Sequence, residues 1–138
     1  MRLRGNQKID LIRNVPLFAR LSRGELRELA MLADEIDLRE GKEMTTQGRP
    51  GREFFVLLEG NADVRKNGRK INTLGPGDFF GEIALVSREP RTATVTATSP
   101  IRALVITDRS FRRLLEESPQ VQTKVMEAMA RRLAPETL

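Results

Sequence analysis

The chain has 138 residues, a formal charge of +5, and neither cysteine nor histidine. That length suits one domain able to bury a core unaided, while the missing residues exclude disulfides and thiol chemistry and remove the commonest metal ligand and general base. No apolar run approaches the roughly 18 residues that cross a bilayer and no signal-peptide pattern opens the chain, so no membrane insertion by this segment is expected. A cytoplasmic location follows as an expectation, free or as the cytoplasmic part of a membrane protein.

The first region, about residues 6–33, reads as helical. "IDLIRNVPLF" is a short helix stopped near Pro16. Ser22 and Glu25 have the spacing of a capping box, with Leu21 and Leu26 as the matching hydrophobic staple. Leu26, Leu29, Ala30 and Ala33 then recur on one helical face.

The second region, about 34–107, reads as short strands punctuated by glycine. "EIDLRE", "EFFVLLEG", "NADVRK", "RKINTL", "TATVTAT" and "IRALVIT" are strand-like by alternation or β-branched content. Asn67-Gly68 between Val64 and Ile71 is a two-residue hairpin signal. Many short strands with regular turns predict a sandwich, roll or barrel.

The third region, about 108–134, is helical again. Asp108 is placed to cap a helix carrying Phe111, Leu114 and Leu115. Ser118-Pro119 restarts a helix, serine at the cap and proline in the first turn, and Val121, Val125, Met129 and Leu133 form an apolar stripe at steps of four. The whole of 1–138 thus reads as one α+β domain.

The excess of basic charge raises nucleic acid as a partner. The cations are scattered, however, from Arg2 and Arg4 through Arg65–Lys70 to Arg131 and Arg132, and acids interleave with others. Only Phe111 sits inside a basic cluster, too little to stack successive bases, and no helix pair has helix-turn-helix spacing. The pattern argues against direct nucleic-acid binding and for a solvated basic surface.

The stretch "GDFFGEIALVSREPRTATV", Gly77 to Val95, fits neither an ordinary strand nor a long helix. A single helical turn starting near Glu82 would aim the free N–H groups of Ile83, Ala84 and Leu85 outward, an arrangement that favours an anion. Arg91, flanked by small residues, can hold a phosphate as a fork. Glu82 could merely cap the helix dipole, or it could accept hydrogen bonds from hydroxyls such as those of a ribose.

"FGEIALVSREPRTATV" resembles the phosphate-binding cassette of cyclic nucleotide-binding domains. The resemblance extends through "VPLFARLS", "GREFFVLLEGNADV", "LGPGDFFGE" and "DRSFRRLLEESP", and is nearest to the regulatory domains of bacterial cyclic-nucleotide-gated potassium channels. It implies an antiparallel, jelly-roll-like β-roll of about eight strands, with N-terminal helices, a short cassette helix and two C-terminal helices. It also implies that cyclic AMP or cyclic GMP is the ligand, with no metal. In such domains Gly81 and Glu82 would bind the ribose 2′-hydroxyl. Backbone N–H groups of Ile83, Ala84 and Ala93 would cradle the cyclic phosphate, and Arg91 would pair with its exocyclic oxygens. Val64 would line the base or ribose side, Thr92 would bear on base choice, and Arg132 in the last helix would fold over the base. Val64 and Ala93 can equally be core residues, and Arg132 a solvated charge.

Three functions compete on this evidence. A non-catalytic ligand sensor needs the cassette, which is present. A degenerate roll kept only for protein contacts has no reason to retain both Glu82 and Arg91. A metal-binding or catalytic barrel lacks histidine and paired carboxylates. The sensor reading implies an effector domain or partner protein outside this chain. It also predicts that the last helix, hinged at Ser118-Pro119, moves from a loose to a closed position over the base when ligand binds.

Overall fold

The computed structural model describes residues 5–133. Arg2, Arg4 and the far end of the third sequence region, at Ala134, lie outside them. Helix α1 (Gly5–Arg13) precedes a 3-10 turn at Pro16–Phe18 and helix α2 (Arg23–Leu32). Pro16 therefore both ends one helical segment and opens the next, as its fixed φ allows. The capping box is formed: Glu25 N–H donates to Ser22 Oγ at 3.1 Å, and Ser22 N–H donates to Glu25 Oε1 at 2.9 Å. Lys8 locks α1 onto the end of α2 by donating to the carbonyls of Ala30 (2.6 Å) and Ala33 (2.5 Å).

Eight strands follow, in two antiparallel four-stranded sheets. They are β1 (Asp34–Leu38), β2 (Glu43–Thr45), β3 (Glu53–Glu59), β4 (Ala62–Lys66), β5 (Arg69–Leu74), β6 (Phe79–Phe80), β7 (Thr94–Ala97) and β8 (Ile101–Thr107). One sheet runs β1-β8-β3-β6 and the other β2-β7-β4-β5. Asn67 and Gly68 both take positive φ, 53° and 78°, so the β4–β5 hairpin closes through the primed turn that matches strand twist.

Strand β3 explains its own unbroken apolar run. Phe54, Val56 and Leu58 face a cluster with Leu17, Phe18, Leu26 and Phe111 of the helices. Phe55 and Leu57 face the interior of the roll with Leu74, Phe80, Val95 and Ala103. A strand buried on both faces carries no polar alternation.

Between β6 and β7 lies the short helix α3 (Glu82–Ser87), and β8 leads into α4 (Asp108–Glu117) and α5 (Pro119–Leu133). The α4 cap differs from expectation. Thr107, extended at the end of β8, accepts from Ser110 N–H at 3.3 Å, whereas Asp108 already lies in the first turn and takes Arg112 Nε at 2.8 Å. Ser118 breaks α4 from α5 with φ −128° and ψ 99°, and its Oγ accepts from Val121 N–H at 3.3 Å. The α5 stripe drifts: Val121, Val125 and Ala128 are buried, Met129 is half-buried, and Leu133 is 53% exposed. Steps of four outrun a 3.6-residue turn, so the buried face passes to Ala128.

Candidate functional site

A cavity of about 100 Å³ opens between the roll and the end of α5. All nine residues singled out in the sequence (Val64, Gly81, Glu82, Ile83, Ala84, Arg91, Thr92, Ala93 and Arg132) line it. Five pieces of chain converge there: Thr45 of β2, the β4–β5 hairpin, the β6–α3 junction, the segment entering β7, and the last turn of α5.

The tight turn after β5 sets the junction. Gly75 N–H donates to Asp78 Oδ2 at 2.8 Å, and Gly77 N–H donates to Leu57 O at 2.8 Å, which anchors the turn on β3. Phe55 and Phe80 stack at 4.9 Å across β3 and β6. Gly81 then takes φ 97°, a left-handed conformation that reverses the chain into α3. A Cβ there would lie 2.8 Å from both Arg91 Nη1 and Glu53 O, so the close approach also calls for glycine.

Arg91 is 6% exposed. Its backbone is clamped by the β2–β3 loop, with Arg91 N–H donating to Arg49 O and Gly48 N–H donating to Arg91 O, each at 2.8 Å. Its guanidinium donates to Glu53 O at 2.8 Å and Gly81 O at 3.2 Å and lies 5.9 Å from the centre of the Phe55 ring. Burial pulls its pKa below the ordinary arginine value, opposed by the Glu53 and Glu82 carboxylates. Arg91 thus presents a cation that is held by neutral carbonyls and not neutralised by a bonded carboxylate. The cassette is tied further by Thr45 Oγ1, which donates to Ala93 O at 3.0 Å.

Glu82 is 1% exposed, and its partner is Arg132. Arg132 Nη1 donates to both carboxylate oxygens, at 2.8 Å to Oε2, and Nη2 donates to Phe79 O at 2.7 Å. The guanidinium lies 5.2 Å from the Phe79 ring centre. Burial raises the Glu82 pKa above its ordinary value, with the charge and hydrogen bonds of Arg132 acting against it. The two buried charges of the cassette, Glu82 and Arg91, therefore have separate partners. The end of α5 is docked in the cavity with Arg132 on the carboxylate.

Sequence reasoning missed the Phe79 carbonyl, Thr45 and Gly51. A Cβ at Gly51 would fall 1.8 Å from Arg91 Nε. No local signal in the sequence connects Gly51 to position 91. Among the described residues no cluster of acids suits a metal ion, and no helix is long and apolar enough to cross a membrane.

Comparison with known proteins agrees with this architecture. The family model for the cyclic nucleotide-binding domain matches residues 35–118. A cAMP-dependent protein kinase regulatory subunit of Mycosarcoma maydis is 40% identical over 74% of the chain and 21% of its own length. A protein of Rhodopseudomonas palustris named as a potassium channel protein is 32% identical over 84% of the chain and 29% of its own length. The chain therefore spans less than a third of either relative. Among solved structures, the Thermus thermophilus catabolite activator protein is 26% identical and superposes with a TM-score of 0.76, covering 86% of this chain and 58% of that one. The chain belongs to the cyclic nucleotide-binding domain family.

Proposed function

We propose that this chain is a cyclic nucleotide sensor, binding cyclic AMP and also cyclic GMP, that carries out no chemistry and signals through its last helix. Residues 1–138 act as one ligand-binding unit, cytoplasmic in setting, attached or docked to an effector such as a channel or kinase part. The observation that carries the reading is the pairing, in one cavity, of an arginine held only by carbonyls with a buried carboxylate. Arg91 forks onto an exocyclic phosphate oxygen pair, and Ile83, Ala84 and Ala93, whose N–H groups would cradle the phosphate, line the same cavity. Glu82 accepts the ribose 2′-hydroxyl beside Gly81, Val64 lines the base or ribose side, and Thr92 bears on base choice.

The cavity of about 100 Å³ is smaller than the roughly 300–1,000 Å³ usual for small-molecule sites, and Arg132 and Leu133 stand in it. One carboxylate cannot serve both Arg132 and a ribose. A nucleotide therefore has to move Arg132 off Glu82, and the end of α5 reseats, with Arg132 transferred to the base. Ser118, extended between two helices, is the pivot. The contacts made only in the reseated position drive the shift and are the output passed to the effector.

Calorimetric titration with cyclic AMP, cyclic GMP and 2′-deoxy cyclic AMP tests the assignment. Saturable binding of both ribonucleotides is expected, with the deoxy ligand weaker. Replacing Glu82 by Ala is expected to erase the ribose preference. Absence of binding by any of them contradicts the sensor and leaves a roll used for protein contacts.

A further inference from the structure

Glycine at position 51 is not explained by its backbone. The glycines that take positive φ are Gly41, Gly48, Gly60, Gly68, Gly77 and Gly81, and Gly51 is not among them. The closest contact that a side chain there would meet is with one residue. The three atoms nearest to an added Cβ all belong to Arg91: Nε at 1.8 Å, Cζ at 2.2 Å and Cδ at 2.6 Å. The guanidinium stem lies directly over the Gly51 Cα, with the Glu53 carbonyl two residues on receiving Nη2 at 2.8 Å. The same loop grips the Arg91 backbone through Gly48 and Arg49. Arg91 also lines a second cavity, together with Glu43, Thr45, Arg49, Pro50 and Gly51.

We infer that Gly51 is a positioning residue, whose missing side chain creates the seat that aims Arg91 at the nucleotide phosphate. The inference rests on the reading of Arg91 given above. A methyl at position 51 cannot coexist with the observed rotamer. The clashing atoms belong to the flexible part of an arginine, which can swing into the second cavity at small cost to the fold. The swing breaks the bonds to Glu53 O and Gly81 O and withdraws the cation from the site. A preformed site loses its advantage when a charged group is displaced by even an ångström.

The test is a double-mutant cycle in the full chain, with Gly51→Ala, Arg91→Ala and the pair, read by cyclic AMP calorimetry and by ligand-free thermal unfolding. Gly51→Ala is expected to weaken cyclic AMP by about 10- to 100-fold. The same change made in the Arg91→Ala background is expected to weaken it no further. Adenosine, which lacks the phosphate, should bind wild type and Gly51→Ala alike. In the unfolding arm the methyl lowers the melting temperature only when Arg91 is present, because the shortened side chain vacates the seat. That arm decides the matter even if Gly51→Ala alone folds poorly. Equal cost of the methyl in both backgrounds, or unchanged cyclic AMP affinity in Gly51→Ala, overturns the inference. If wild type binds no cyclic nucleotide, the sensor reading fails, and the unfolding cycle still reports on the seat.

Discussion

Arg132, in the last turn of α5, holds the carboxylate of Glu82, which opens α3 fifty positions earlier in the chain. The contact joins the cassette to the last helix. It continues inward as a chain of stacked groups. Arg132 lies over Phe79, Phe79 meets Phe54 at 5.5 Å, and Phe54 stacks on Phe111 of α4 at 4.4 Å.

The ion pair should be measurable without ligand. Glu82 is 1% exposed and Arg132 28%, so the pair is partly screened and worth less than a fully buried one. A cycle of Glu82→Ala, Arg132→Ala and the double variant, followed by denaturant unfolding, is expected to give a coupling of about 1–3 kcal/mol. Additive effects would mean that the two side chains do not hold one another.

Arg91→Ala should weaken binding and spare the fold, since its partners are backbone carbonyls that other donors or water can satisfy. Losing one member of a desolvated charge pair costs about 2–5 kcal/mol, or roughly 30-fold or more in affinity. Calorimetry showing wild-type affinity in this variant would remove Arg91 from the phosphate.

The sequence displayed the cassette because its elements are local. Gly81, Glu82 and Arg91 lie within eleven positions, and the hairpin at Asn67-Gly68 carries its own turn chemistry. Strands β2 and β6 were not distinguished, being three and two residues long, too short for any periodicity to show. The α4 cap was misplaced by one position because Thr107 and Asp108 can both cap, and only the direction in which β8 ends selects Thr107. The Arg132–Glu82 pair and the Gly51 seat join residues that are distant in the chain. Pattern along one element cannot reveal them.

Thr92 lines the cavity beside Arg91. A hydroxyl at that place can bond a guanine folded back over the ribose, and adenine offers no matching group. Thr92→Ala should lower cyclic GMP affinity by about 1 kcal/mol, a neutral hydrogen bond, and leave cyclic AMP unchanged. Equal losses for both ligands would show that Thr92 acts on the shared ribose and phosphate.

The Glu82 carboxyl titrates above its ordinary value of 4.5 because burial outweighs Arg132. A group whose pKa is raised on folding adds stability that is full below the unfolded pKa and lost as pH rises through the folded one. Glu82→Gln imitates the protonated form and escapes that loss. The melting temperature of the Gln variant relative to wild type should therefore climb as pH rises from about 4.5 toward neutrality. A difference independent of pH would mean that Glu82 keeps an ordinary pKa.

The central claim is that nucleotide takes Glu82 from Arg132 and reseats α5. Backbone hydrogen exchange across Pro119–Leu133, measured with and without saturating cyclic AMP, addresses it directly. The account predicts a ligand-dependent change in exchange rates in the last two turns of α5, together with protection at Ile83, Ala84 and Ala93. Protection confined to the cassette, with α5 exchanging identically in both states, would contradict it.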